Sequence, residues 1–307
     1  MSAPHEFTRA EAAALIRVPT AADDKYSRGV LGIITGSERY PGAAVLGVEA
    51  ALRTGVGMVR YLGDARAAEF VLQRRPEAVS ADGRVHAWLV GSGMEAEAFR
   101  SGDSHANPEV TARLRAAMTS GLPLVLDAGA LDAESLETVS RASGAAIITP
   151  HAGELARLLG VQVDRVRANP LAAGREAAHR HGVAVLLKGH TTYAIGPAGA
   201  EFTTRLAPTW LATAGAGDAL AGILGSLVAA HAAPQPPGTP TLPTTALDNT
   251  ALDNTALDNT ALARLGAAAA LVHGLAAQRA SAKSGGGPFT VLELCAAVPS
   301  VIAELLG

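Results

Sequence analysis

The stretch Ala145-Ala-Ile-Ile-Thr149-Pro-His-Ala-Gly-Glu154-Leu-Ala-Arg-Leu-Leu159 changes character halfway along. Residues 145–149 form a short apolar run with no polar alternation, as expected of a strand covered on both faces. Pro150 stops that run. From Gly153 the spacing is helical, with Glu154 as a first-turn acid. A covered strand leading straight into a helix is the building unit of a parallel sheet with helices on both sides.

The same unit recurs in both directions. Strands are expected at 29–35, 57–62, 87–90, 122–127, 145–149 and 183–188. Helices are expected at 42–53, 65–72, 108–120, 135–141, 153–159 and 171–181, with a short one at 11–17 stopped by Pro19. Residues 192–195 and 201–204 flank a glycine-containing turn and read as a hairpin. The fold class is therefore α/β, with a mainly parallel central sheet. Gly36, Gly91, Asp127, His151 and Lys188 all fall just after a strand. Open α/β sheets bind ligands at that end.

Further on, Thr213-Ala-Gly-Ala-Gly-Asp218-Ala-Leu-Ala-Gly222 places one carboxylate among glycines, ahead of an apolar helical run at 219–230. The glycines allow a sharp turn. A helix start attracts anions through its unpaired N–H groups and its dipole. Asp218 reads either as a cap or first-turn acid, or as a base beside a bound phosphate. Helices are also expected at 263–280 and at 290–306, the latter with a break near Pro299. Between the run at 219–230 and the helix at 263–280, Pro, Gly and Thr dominate 233–243, and Thr-Ala-Leu-Asp-Asn then repeats three times from Thr245 to Asn259. A five-residue period matches neither a helix face nor a strand face. The insert at about 233–260 is read as a disordered surface loop with helical character near Ala261.

Composition narrows the function classes. The 307 residues are 49% hydrophobic, enough for a substantial core, and the net charge of −3 offers no footprint for nucleic acid or an anionic membrane. The single cysteine, Cys295, excludes an intrachain disulfide and fits a reducing compartment. No run reaches the roughly 18 uncharged apolar residues of a membrane span, and 1–17 lacks the apolar core of a signal peptide. A cytoplasmic protein is expected, with 1–24 as a lead-in and 25–307 as a single domain. Gly91-Ser-Gly93 lacks the spacing of a dinucleotide fingerprint, and there is no Walker A motif, Cys/His metal cluster or Gly-x-Ser-x-Gly elbow. His151 reads as a donor to a carbonyl or phosphate, and Lys188 either as a phosphate contact or as a lysine snorkelling at a strand end. His86, His105, His179, His181, His231 and His273 have no motif around them and read as surface or core residues.

In this order, the motifs resemble the ADP/ATP-dependent NAD(P)H-hydrate dehydratases of the ribokinase-like superfamily. The matching pieces are Gly32-Ile-Ile-Thr-Gly-Ser37, Tyr40-Pro-Gly-Ala43, Gly91-Ser-Gly93, Leu126-Asp-Ala-Gly-Ala-Leu131, Thr149-Pro-His-Ala-Gly-Glu154, Leu187-Lys-Gly-His-Thr-Thr192 and Trp210-Leu-Ala-Thr-Ala-Gly-Ala-Gly-Asp-Ala-Leu-Ala-Gly222. The resemblance implies a three-layer α/β/α sandwich and repair of NADH or NADPH hydrated at C6 of the nicotinamide ring. It implies that Asp218 is the catalytic base and that Gly215, Ala216 and Gly217 form the anion hole. Ala43, Gly93, His151 and Asp218 would contact the hydrate; Lys188, Gly189, His190, Thr191, Thr192 and Gly217 would hold the nucleotide. ADP or ATP is the implied co-substrate and Mg²⁺ the implied cofactor, with Glu154 as a ligand through water. A homo-oligomer, tetrameric by resemblance, is implied, together with dependence on a separate epimerase, because many relatives carry an N-terminal epimerase domain for which this chain has no room.

Two departures bear on the site. The family usually has Gly-Asn where this chain has Ala207-Pro208-Thr209, and Asp where it has Gly129. The competing readings are a small-molecule kinase of the hydroxyethylthiazole or hydroxymethylpyrimidine type, and a catalytically silent nucleotide-binding protein.

Overall fold

The structure, a computed structural model, describes residues 3–95, 107–142, 144–234 and 257–307. Nearly all of the repeat insert lies outside the described residues. Among the described residues, nine strands form one sheet in the order β1-β9-β8-β7-β6-β5-β4-β2-β3. In chain order they are β1 (His5–Glu6), β2 (Val30–Ile34), β3 (Met58–Tyr61), β4 (Ala87–Val90), β5 (Leu124–Leu126), β6 (Ala146–Ile148), β7 (Ala184–Leu187), β8 (Thr192–Ile195) and β9 (Glu201–Thr204). Only β8 runs antiparallel to its neighbours, because the tight turn after Lys188 sends the chain straight back. The hairpin falls at the expected residues. His5 and Glu6, within the expected lead-in, pair in parallel with Phe202 and Thr203 and cover the edge of β9.

Strand alternation divides the core in two. Leu31, Ile33, Leu89, Val125, Ile147 and Leu186 face one apolar cluster. Val30, Ile34, Val90, Leu126, Ile148 and Val185 face the other. Each face is closed by helices, so every central strand is apolar on both sides. The first face carries α1 (Arg9–Ala14), α2 (Pro41–Thr54), α3 (Ala65–Arg74), α9 (Ala216–Ala232), α10 (Asn259–Lys283) and α11 (Val291–Leu306). The second carries α4 (Pro108–Met118), α5 (Ala133–Arg141), α6 (Ala152–Leu159), α7 (Val163–Ala168) and α8 (Pro170–His181). The result is an α/β/α sandwich.

α2 and α9 pack unusually closely. A Cβ on Gly222 would overlap the Gly47 carbonyl, so only glycine fits at that crossing. Beside it, Glu49 of α2 is fully buried, yet Arg53 Nε (2.6 Å), Arg74 Nε (3.3 Å) and Arg75 all engage it. Burial pushes its carboxyl up, but Arg75 and Arg53 outweigh burial and hold it below the usual range.

Besides β1, three helices differ from expectation. α11 passes through Pro299 without a break. A proline inside a helix costs roughly 3 kcal/mol, but buried Val298 and Val301 anchor the helix on both sides of it. α7 has no counterpart among the expected helices, because its one buried apolar residue, Val166, gives little periodicity. α10 begins earlier than expected: Asp258 caps it by accepting from Ala261 N, and Asn259 Oδ1 accepts from Ala146 N while its amide donates to Gly182 O. The last two residues of the repeat are thus part of the folded domain. α10 is long and apolar enough by length and composition to cross a bilayer, but 89% of its apolar window is buried against the sheet and neighbouring helices. It is a core helix.

Candidate active site

β7, β6, β5 and β4 are adjacent in the sheet. Just past the carboxyl end of each stands a polar residue: Lys188, Thr149, Asp127 and Ser92. All four side chains meet at Asp127. Its Oδ1 accepts from Thr149 Oγ1 (2.6 Å) and Lys188 Nζ (2.9 Å), and its Oδ2 accepts from Ser92 Oγ (2.8 Å). Asp127, Ser92 and Thr149 are buried. Burial pushes the Asp127 carboxyl up, but the Lys188 ammonium and the hydrogen bonds overcome it, leaving the pKa low. Burial pushes Lys188 down, and Asp127 and Glu154 more than reverse that. Lys188 is therefore not snorkelling into solvent; only 19% of its side chain is exposed.

Lys188 also faces α9. A Cβ on Gly217 would lie 3.3 Å from Lys188 Nζ. Gly215 is the N-cap of α9; its φ of +88° suits glycine, and it offers no side chain to cap the helix. The first i→i−4 bond is Ala219 N to Gly215 O, so the Gly217 and Asp218 N–H groups precede the intrahelical ladder. Ala216 N makes only a long 3.4 Å bond to Thr213 O. From the α10 side, buried His273 faces the Ala216 backbone, its Nε2 without a hydrogen-bond partner among the described residues, and burial holds its pKa down at about 4.

Asp218 occupies the third helical position and is not the cap. Its carboxylate has no hydrogen-bond partner among the described residues. Burial first, then the Asp127 charge, raise its pKa to about 7; Lys188 opposes them and Glu154 adds to them. A carboxylate poised near neutrality is suited to accept a proton.

His151 caps α6. Its Nδ1 accepts from Gly153 N (3.0 Å) and Glu154 N (3.3 Å). Because Nδ1 accepts, the neutral ring carries its proton on Nε2, on an exposed side chain able to donate to a ligand. Glu154 Oε2 accepts from His151 N (2.8 Å) and lies 3.7 Å from Lys188 Nζ. Ala43, in the first turn of α2, and Gly93 lie against each other. Gly93 has a φ of +65°, and a Cβ there would overlap Ala43 Cβ. The loops after β2 and β4 are joined by the Gly36 N to Ser92 O bond (2.6 Å). Gly189, His190 and Thr191 form the turn between β7 and β8, and Thr192 starts β8, its Oγ1 donating to Gly189 O.

Sequence reasoning placed Asp218, Lys188 and His151 but assigned no role to Asp127, Ser92 or Thr149. The available signal was that four neighbouring apolar strands each end on a polar residue. Gly129 is explained by space: a Cβ there would lie 2.5 Å from Met94 O. Trp210 stays half exposed, its Nε1 donating to Gly286 O (3.1 Å).

Among the described residues no group of three His, Cys, Asp or Glu side chains could hold a metal ion. Mg²⁺ commonly binds through one or two carboxylates plus substrate phosphates. Glu154, with Oε1 less engaged than Oε2, fits that mode and not a dedicated cage.

Residues 31–298 match the family described as NAD(P)H-hydrate dehydratase. The chain is 40% identical over 232 residues to the bifunctional NAD(P)H-hydrate repair enzyme of Mycobacterium tuberculosis, covering 73% of this chain and 46% of that one. It therefore spans about half the length of the bifunctional relatives it matches. It is 34% identical over 223 residues to the ADP-dependent (S)-NAD(P)H-hydrate dehydratase of Xanthomonas campestris, covering 69% of this chain and 76% of that one. Its fold is similar to that of the ADP/ATP-dependent NAD(P)H-hydrate dehydratase from Bacillus subtilis co-crystallised with ATP/Mg²⁺. The TM-score is 0.78 at 22% identity, covering 98% of this chain and 99% of that one. The fold is ribokinase-like, as the motifs implied.

Proposed function

The chain belongs to the NAD(P)H-hydrate dehydratase family, and on that premise we propose that it converts (6S)-hydrated NADH or NADPH back to the reduced coenzyme. ADP or ATP is consumed, and AMP or ADP is released with phosphate. The observation that carries this reading is Asp218, a partly buried carboxyl at an uncapped helix start, with Lys188 Nζ over the same first turn.

Asp218 takes the proton of the C6 hydroxyl. The hydroxyl oxygen forms a bond to the terminal phosphorus of the nucleotide as the bond to the bridging oxygen breaks, and the electron pair leaves with AMP or ADP. The C6–O bond then breaks, phosphate departs, and loss of the C5 proton restores the double bond. Hydroxide is a poor leaving group and phosphate a good one, so the nucleotide makes the dehydration favourable. First-turn N–H groups at Gly215, Ala216 and Gly217 stabilise the transferring phosphoryl. Ala43, Gly93 and His151 seat the hydrate, and Lys188 to Thr192 with Gly217 hold the nucleotide. Glu154 would help hold Mg²⁺ through water beside the nucleotide phosphates, where the ion would neutralise phosphate charge. The same reading includes a cytoplasmic homotetramer and supply of the S epimer by a separate epimerase.

The test is direct. Purified protein, Mg²⁺ and (6S)-hydrated NADH are mixed with ADP or ATP, and the near-ultraviolet absorbance of NADH is followed. A nucleotide-dependent rise that is lost in Asp218→Asn is expected. A stable phosphorylated product with no NADH would support a kinase instead.

A further inference from the structure

We propose that Lys188 meets the phosphoryl group being transferred, not the AMP part of the nucleotide, and that Asp127 is the positioning residue that holds its ammonium there. This deepens the reading above and rests on it. Three carboxyls (Asp127, Glu154 and Asp218) converge where a phosphoryl group has to enter. Partial charges at a helix start cannot by themselves admit an anion among three acids. Lys188 supplies the cation at their centre. Its Nζ lies over the first turn of α9, since a Cβ on Gly217 would sit 3.3 Å from it.

An ammonium has three donors. Asp127 Oδ1 takes one at 2.9 Å, and Glu154 Oε2 at 3.7 Å lies beyond hydrogen-bond reach. The remaining donors have no hydrogen-bond partner among the described residues. Asp127 cannot itself act as a base, because Thr149 and Ser92 occupy its oxygens together with Lys188. Its position at the meeting point of four strand ends gives the ammonium a fixed address. A buried ion pair is seldom worth its desolvation as a stabilising device, and here one partner points at the place where negative charge develops.

The test compares AMP with ADP binding by calorimetry at constant Mg²⁺, which requires no turnover. In Lys188→Met, affinity for ADP should fall on the order of 10- to 100-fold, the range of one charge-assisted hydrogen bond, while AMP affinity is unchanged. Equal losses for both nucleotides would place Lys188 on the AMP part and overturn the proposal. Asp127→Asn keeps one acceptor oxygen and turns an amide donor toward the other hydroxyl, which can accept in its place, while removing the charge that holds the lysine, so ADP should again weaken selectively. Tighter ADP binding would mean that Asp127 is merely a repelling charge and would refute its positioning role. Because Lys188→Met strands Asp127, the double variant Asp127→Asn/Lys188→Met provides a neutral, folded form for the same comparison. Turnover with ADP should return in part when ethylamine is added to Lys188→Ala. Wild-type protein that binds neither nucleotide would instead sink the functional reading as a whole.

Discussion

Replacing Asp218 by Asn should cost activity and add stability, and the gain should depend on pH in a defined way. Burial and the neighbouring carboxylates raise the Asp218 pKa from 3.8 to about 7. Between those values the folded chain keeps a proton that the unfolded chain has released. Stability therefore falls as pH rises through this window and levels off above pH 7. A tenfold change in proton affinity is worth roughly 1.4 kcal/mol, so a rise of this size gives a destabilisation on the order of 4 kcal/mol at pH 8. The amide carries no charge and escapes that cost. Once buried it adds a penalty of about 1–3 kcal/mol where unpaired, but that penalty does not change with pH. The diagnostic is thus the difference between variant and wild type in urea unfolding, measured from pH 4 to pH 8. It should move in favour of the Asp218→Asn variant by about 1.4 kcal/mol per pH unit up to pH 7 and then stay flat. In parallel, kcat/KM of the wild type should rise with pH through a midpoint near 7, as the base loses its proton. A stability difference independent of pH would show that Asp218 is ionised throughout and would refute the argument from burial.

Gly93→Ala places a side chain at a φ of +65° and against Ala43; a left-handed residue costs about 1–2 kcal/mol, and titration with NADPH should reveal weakened coenzyme binding beyond that loss. Gly129→Asp, which restores the acid usual at that place, meets Met94 O at 2.5 Å and should lower the melting temperature without raising kcat. Glu49→Ala removes the buried acceptor shared by Arg53, Arg74 and Arg75, which keep part of their surface in water; denaturation should register a loss of about 1–3 kcal/mol. Cys295 is buried and its thiol is pushed up to about 12, so a thiol reagent at pH 8 should label it only in denaturant; rapid labelling of native protein would contradict the packing of α11.

The α/β class was legible because unbroken apolar runs such as 145–149 have one structural meaning when turns and helices follow them. The hairpin at 192–204 was legible because two short runs flank a glycine-containing turn. Asp218 and Lys188 stood out because glycines flank them. Asp127 was visible as a residue at a strand end, but its partners Ser92, Thr149 and Lys188 lie 35, 22 and 61 residues away along the chain. Nothing local records that pairing, which follows from strand order, and strand order is not written in any one segment. β1 was hidden because two residues carry no period. The continuity of α11 through Pro299 was hidden because tertiary burial of Val298 and Val301 overrides a local rule.

The convergence of four strand ends on one carboxylate also governs when this molecule can first act. Ser92, Asp127, Thr149, Lys188 and Asp218 come from five separate elements, and no two neighbours in the chain supply a working pair. A half-folded chain therefore holds scattered fragments and no reduced-power version of the site. Contacts this distant in sequence carry a loop-closure cost before they are made, so the site is complete only once the four strand ends and α9 stand together. On the function proposed above, an immature chain would then be inert toward the nucleotide anhydride instead of hydrolysing it wastefully.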